Sequence, residues 1–134
     1  MTGLQALLGF TAWTLVMVFL YVNWRSLEIL RGKKADSWTR GAPQAEEPAI
    51  VKRMENAHAN CVENLPIFAA IVLAASAMHK EAVADAYGAY VLYARLAQSI
   101  THMIGVNHWL VLVRATFWVI QLVLFVLMLW GLLS

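Results

Sequence analysis

Two apolar stretches, Leu4 to Trp24 and Trp109 to Leu133, are each long enough to cross a lipid bilayer. A spanning helix needs about 20 mostly apolar residues. Apolar residues make up 61% of the 134-residue chain and charged residues 13%, against about 45–50% and 25% in a soluble domain. So large an apolar excess has no place on a water-exposed surface, so part of the solvent is lipid. The six Trp suit that setting, because indole collects where hydrocarbon meets headgroups. Trp24, Trp109 and Trp130 read as such anchors.

The length allows one domain, residues 1–134, and the pattern predicts an all-α, integral membrane four-helix bundle. Its spans are expected at about 4–24, 50–78, 82–104 and 109–133, with a polar loop at about 31–49 that holds Gly41, Pro43 and Pro48. The first span carries no preceding basic residues, unlike a secretory signal; Arg25, Arg31, Lys33 and Lys34 follow it, so it reads as retained. Arg31, Lys33, Lys34, Arg40, Lys52 and Arg53 surround the first loop, whereas the second holds only Lys80. Basic residues favour the cytoplasmic side, which predicts a cytoplasmic first loop and both termini on the opposite side.

The second span is the informative one. Leu65 to Met78 is too short to cross alone, so the membrane segment must reach back to about Ala59 and take in Asn60, Glu63 and Asn64. At about 100° per residue, Arg53, Asn56, Asn60, Glu63 and Ile67 share one helix face. Pro66 cannot donate to the Val62 carbonyl, which predicts a kink or a freed carbonyl just past Glu63. In the third span, Arg95, Gln98, Ser99 and His102 again share one face. A charge at the bilayer centre costs at least about 2.5–3.5 kcal/mol on insertion scales, so neither Glu63 nor Arg95 should face lipid. Folding spans two and three back on each other places Glu63 near Arg95, Asn60 near Ser99 and Asn56 near His102; the next turn places Arg114 near Gln98. Two readings follow: a packing ion pair with amides as interhelical glue, or a buried site. The number of ionisable groups favours a site, since intramembrane ionisable residues mark function by default.

Lone Cys61 permits no intrachain disulfide, and with four scattered His makes no metal centre. Cys61 faces away from the Glu63 stripe and reads as packing. No P-loop, dinucleotide motif or nucleic-acid signature is present.

The stretch Arg53-Met-Glu-Asn-Ala-His-Ala-Asn-Cys-Val-Glu-Asn-Leu-Pro-Ile-Phe68 resembles the second helix of the MAPEG family, the membrane-associated proteins in eicosanoid and glutathione metabolism. Ser26 to Lys34 resembles the end of that family's first helix, Ala94-Arg95-Leu96 its third, and Arg114-Ala-Thr-Phe-Trp118 the start of its fourth. The resemblance implies a homotrimer with sites between subunits. It implies a glutathione-dependent transferase or peroxidase acting on a lipophilic small molecule, with glutathione as co-substrate. By position, Asn60 and Glu63 would hold the amino-acid end of glutathione, and Arg53, Asn56, His58, Lys33 and Lys34 would add contacts. Arg114 would stabilise the thiolate, and Arg95 would pair with and orient Glu63. An always-charged guanidinium favours a thiolate without exchanging protons. The sequence departs from the family pattern where Asn56 replaces a frequent Arg, where Gln98, His102 and Trp118 stand in helices that often carry Tyr, and at Ala115, a Ser in some members. These departures keep open a second reading, a non-catalytic lipid-binding membrane protein of the same fold. A third, proton-coupled transport, is set aside here because Glu63 is expected to be neutralised by Arg95.

Overall fold

The computed structural model describes residues 1–39 and 46–134. Of the expected loop, Arg40, Gly41 and Pro43 lie outside the described residues. The described residues fold as four helices, α1 (Gly3–Leu30), α2 (Ala49–Ala77), α3 (Glu81–Ile104) and α4 (His108–Leu133), with a 3₁₀ turn at Ala35–Trp38 between the first two. The all-α, integral membrane four-helix bundle expected from the sequence is what forms.

Three helices, α1, α2 and α4, are long and apolar enough to cross a membrane, with mean hydropathies of 1.8, 1.5 and 2.3. The remaining helix, α3, falls short because Glu81, Asp85, Arg95 and a row of amides and hydroxyls lower its hydropathy. Glu81 and Asp85 stand exposed in the first turns, whereas Arg95, Gln98, Ser99, Thr101 and His102 are shielded by neighbouring helices. At 24 residues, α3 is about 36 Å long, enough to match the hydrocarbon thickness. It is the central element, packed against α1, α2 and α4, while α4 leans mainly on α3 and barely touches α2. The first helix runs beyond Trp24 to Leu30, so α1 and α2 are each about 42–44 Å long and project past the hydrocarbon. α2 continues through Pro66 without a break.

The helix ends are closed by specific groups. Thr2 caps α1: its Oγ1 accepts from the Gln5 amide (3.2 Å), and Gln5 Oε1 accepts from the Thr2 amide (2.9 Å). The Gly3 amide donates to Asp85 Oδ1 on α3 at 2.6 Å. Just past the end of α2, His79 takes a left-handed φ of 56°, and the Lys80 amide reaches back to the Ala75 carbonyl. Lys80 Nζ donates to the Leu132 carbonyl at 2.9 Å, a cation placed on the negative end of α4. Asn107 caps α4 by accepting from the Leu110 amide.

The main core lies toward the termini. Phe10, Phe68 and Phe125 form an aromatic ladder across α1, α2 and α4, with centroid separations of 5.9 and 6.0 Å. Leu7, Val72, Val91, Met128 and Leu132 fill the space around it. α1 and α3 approach closely because small residues meet there. A Cβ on Gly88 would lie 3.1 Å from Gly3 Cα and 3.2 Å from Ala6 Cβ. In lipid, where apolar side chains gain nothing by avoiding solvent, such close van der Waals contact carries helix association. Gly88→Val should therefore force α1 and α3 apart and lower stability by about 1–3 kcal/mol, read as a reduced melting temperature in detergent. An unchanged melting temperature would show that the contact is not close-packed.

Candidate functional site

The loop end of the bundle is organised by Arg25, which the apolar pattern of α1 gave no reason to single out. Its Nη2 lies 3.2 Å from Glu47 Oε2 and 3.1 Å from Glu55 Oε2, and its guanidinium stands over Tyr21 and Trp38. Lys33 sits over Trp24 and Trp38 and donates to the Glu46 carbonyl at 2.8 Å. These contacts fasten both ends of the α1–α2 connection to the helices below it. Lys33 is thus occupied in holding that connection, while Lys34 is exposed.

Deeper in the bundle, α2, α3 and α4 enclose an open groove of about 290 Å³ lined by Asn60, Glu63, Gln98, Arg114, Ala115 and Trp118. Three of the residues singled out by position, Asn60, Glu63 and Arg114, therefore come together, with Gln98 beside them. The helical register explains this: Asn60 and Glu63 are three apart on α2, and Arg114 and Trp118 four apart on α4. The groove sits at the small end of the range for small-molecule sites, about 300–1,000 Å³.

The other residues lie around it. Asn60 Nδ2 is 3.3 Å from His102 Nδ1, one turn beyond the expected partner Ser99, which instead faces Cys61 with 3.7 Å between Oγ and Sγ. Cys61 is fully buried, in keeping with a packing role. Arg53 Nε donates to the Met103 carbonyl at 3.0 Å, tying α2 to the end of α3. His58 turns to α1, where its Nδ1 lies 3.3 Å from the Tyr21 hydroxyl. Asn56 is exposed and lines no part of the groove.

The expected Glu63–Arg95 ion pair does not form among the described residues. Arg95 is 0% exposed and packs its guanidinium over the Phe10 ring at 5.2 Å. None of its three guanidinium nitrogens has a hydrogen-bond partner among the described residues. Glu63 lies on the exposed side of α2. Folding the chain back on itself placed the two at similar depth but ignored rotation about the helix axis. Two residues along α2 is about 200° of turn, so Cys61, not Glu63, faces the helix that carries Arg95.

A buried amide chain escaped the sequence reading. Asn64 Nδ2 donates to Gln121 Oε1 (3.4 Å), and Gln121 Nε2 donates both to Gln98 Oε1 (2.8 Å) and to the Phe117 carbonyl (3.0 Å). The signal was present: Gln121 is the one amide in the apolar run from Phe117 to Leu133.

A helical membrane bundle with an open polar groove between three of its helices defines the class of protein. Within that class, the MAPEG family model matches residues 4–134, and the chain belongs to the MAPEG family. Membership gives it a membrane role connected with glutathione or eicosanoid metabolism. A search of curated proteins found no match.

The separation of Glu63 from Arg95 is testable by a double-mutant cycle on Glu63→Gln and Arg95→Met, followed by unfolding in detergent. The expected coupling is below about 1 kcal/mol, whereas residues in direct contact reach about 3 kcal/mol. A coupling at that upper level would restore the ion pair.

Proposed function

We propose that the protein is a membrane-bound glutathione-dependent transferase or peroxidase acting on lipophilic electrophiles, with glutathione as co-substrate in the groove between α2, α3 and α4. The observation that carries this reading is the meeting of Asn60, Glu63, Gln98 and Arg114 around one opening. Its chemistry suits a zwitterionic thiol. The Glu63 carboxylate accepts hydrogen bonds and matches an ammonium group, while the Arg114 guanidinium only donates and matches an anion. A thiol with pKa of about 8.5 is mostly protonated at neutral pH, and an adjacent fixed cation shifts it toward the nucleophilic thiolate. A lipophilic partner reaches such a groove sideways through the bilayer while the charged tripeptide enters from the aqueous face.

The groove in one protomer is open, and Glu63 lies on the exposed side of α2, a helix long and apolar enough to cross a membrane. A carboxylate left to lipid costs several kcal/mol. A second copy of the chain packed over this face, in a homotrimer, would cover it and complete the site. Arg53, His58 and Lys33 are engaged with other parts of the protomer, and Asn56 and Lys34 are exposed, which leaves the thiol to the groove residues. Arg95 acts from inside the bundle and supports the fold around Cys61 and Phe10.

The lack of an Arg95 partner for Glu63 removes the charge argument against proton-coupled transport. Proton-driven uptake into proteoliposomes, lost in Glu63→Gln, would establish that reading over the enzymatic one. The non-catalytic lipid-binding reading draws on Ala115 and Trp118, which place a methyl group and a 40%-exposed indole beside Arg114. Lipid retained in native mass spectra, with no bound thiol, would favour it.

Millimolar glutathione is expected to raise the melting temperature of the solubilised protein, and conjugation of a hydrophobic electrophile should follow. Arg114→Ala should fold and lose activity about 10²-fold or more, the scale on which removal of one preorganised charge donor acts. Normal turnover in that variant would remove the proposed mechanism; no thermal shift in the wild type would remove glutathione.

A further inference from the structure

Gln121 is 0% exposed on α4, and its amide is wired in one direction. The Phe117 carbonyl has no proton to give, so the Gln121 atom 3.0 Å from it must be the nitrogen. That leaves Gln121 Oε1 to accept from Asn64. The other N–H of Gln121 reaches Gln98 at 2.8 Å, and only an oxygen can receive it. Amide oxygen and nitrogen have nearly the same outline, and a network anchored on a backbone carbonyl is what distinguishes them. Gln98 is therefore held with Oε1 toward Gln121. Its Nε2 makes no hydrogen bond among the described residues and is the end left for the groove that Gln98 lines.

We propose that Gln121 is a positioning residue: it fixes the amide of Gln98 so that two N–H groups face the groove beside Arg114 and donate to the anionic sulfur of the bound thiol. This rests on the glutathione reading and deepens it. Ala115, next to Arg114 in the same wall, offers no side-chain donor. An unrestrained amide would rotate and present its oxygen to the sulfur part of the time, which disfavours the thiolate. Locking the donor end outward removes that alternative before the ligand arrives, and a preorganised donor costs no rearrangement when charge develops. Hydrogen bonds to an ionised acceptor are about twice as strong as neutral ones. Gln98 thus acts on thiolate formation together with Arg114, and Gln121 acts only through Gln98.

Gln121→Glu tests the wiring in the full-length, detergent-solubilised protein. The introduced carboxyl has at most one proton to give and cannot donate to both the Phe117 carbonyl and Gln98. Gln98 then turns to donate toward it and shows Oε1 to the groove. Thiolate absorbance of bound glutathione, titrated against pH, should show about tenfold less thiolate at neutral pH, a rise of about one pKa unit. Gln121→Met, which frees Gln98 to rotate, should give a smaller rise in the same direction. A general loss of stability would lower the folded fraction without moving this titration. An unchanged titration in a folded Gln121→Glu variant overturns the proposal while leaving the glutathione reading intact. If that variant does not fold, an unchanged titration in Gln121→Met overturns it. Absence of any thiolate signal in the wild type overturns both.

Discussion

Hydrocarbon supplies no hydrogen bonds, so each polar group carried into the membrane has to find a partner on another helix or an edge where water reaches. That constraint organises this bundle around α3. Its polar residues would be intolerable on a lipid-facing surface, and packing α1, α2 and α4 around it turns them inward. The same act that makes the helix tolerable gathers Gln98, Ser99 and His102 against α2 and α4. The candidate site and the fold are here two consequences of one requirement.

The interior divides along its length. Toward the termini the aromatic ladder of Phe10, Phe68 and Phe125, together with the small-residue contact of Gly3 and Gly88, packs the helices tightly. Toward the loop the packing becomes polar: Asn64, Gln121 and Gln98 link three helices, Asn60 meets His102, and Arg53 holds the end of α3. At the aqueous margin Arg25 gathers Glu47 and Glu55 under Trp38. The groove lies between the dry packing and this charged margin, lined by Asn60, Glu63, Gln98 and Arg114. Arg95 stands apart, buried over the Phe10 ring without a hydrogen-bonding partner among the described residues. The face of the Phe10 ring, 5.2 Å from its guanidinium carbon, lies against it.

Much of the candidate site was legible because helical spacing is rigid. Asn60 and Glu63 share a stripe on α2, and the short connection between α3 and α4 brings Arg114 to the depth of Gln98. What was not legible was rotation. Depth follows from counting residues back from a turn, but the direction a side chain faces depends on which side of its helix the neighbours occupy. For that reason Glu63 and Arg95 were matched in height yet point to different surroundings. Gln121 was visible as a polar residue in an apolar run, but its partners lie 23 and 57 positions away along the chain.

The sequence alone determined the class of structure: runs of about 20 apolar residues have one stable form in lipid, and a basic loop with sparse charge elsewhere divides the chain into helices and a connection. It also determined which residues share a helix face, because 3.6 residues per turn leaves no freedom there. Only the tertiary structure decided which faces meet. It put Cys61 rather than Glu63 inside, gave Lys33 to the loop, and aligned three amides so that Gln98 turns its nitrogen to the groove. Helix azimuth is set by packing among all four helices at once, and no local pattern encodes it.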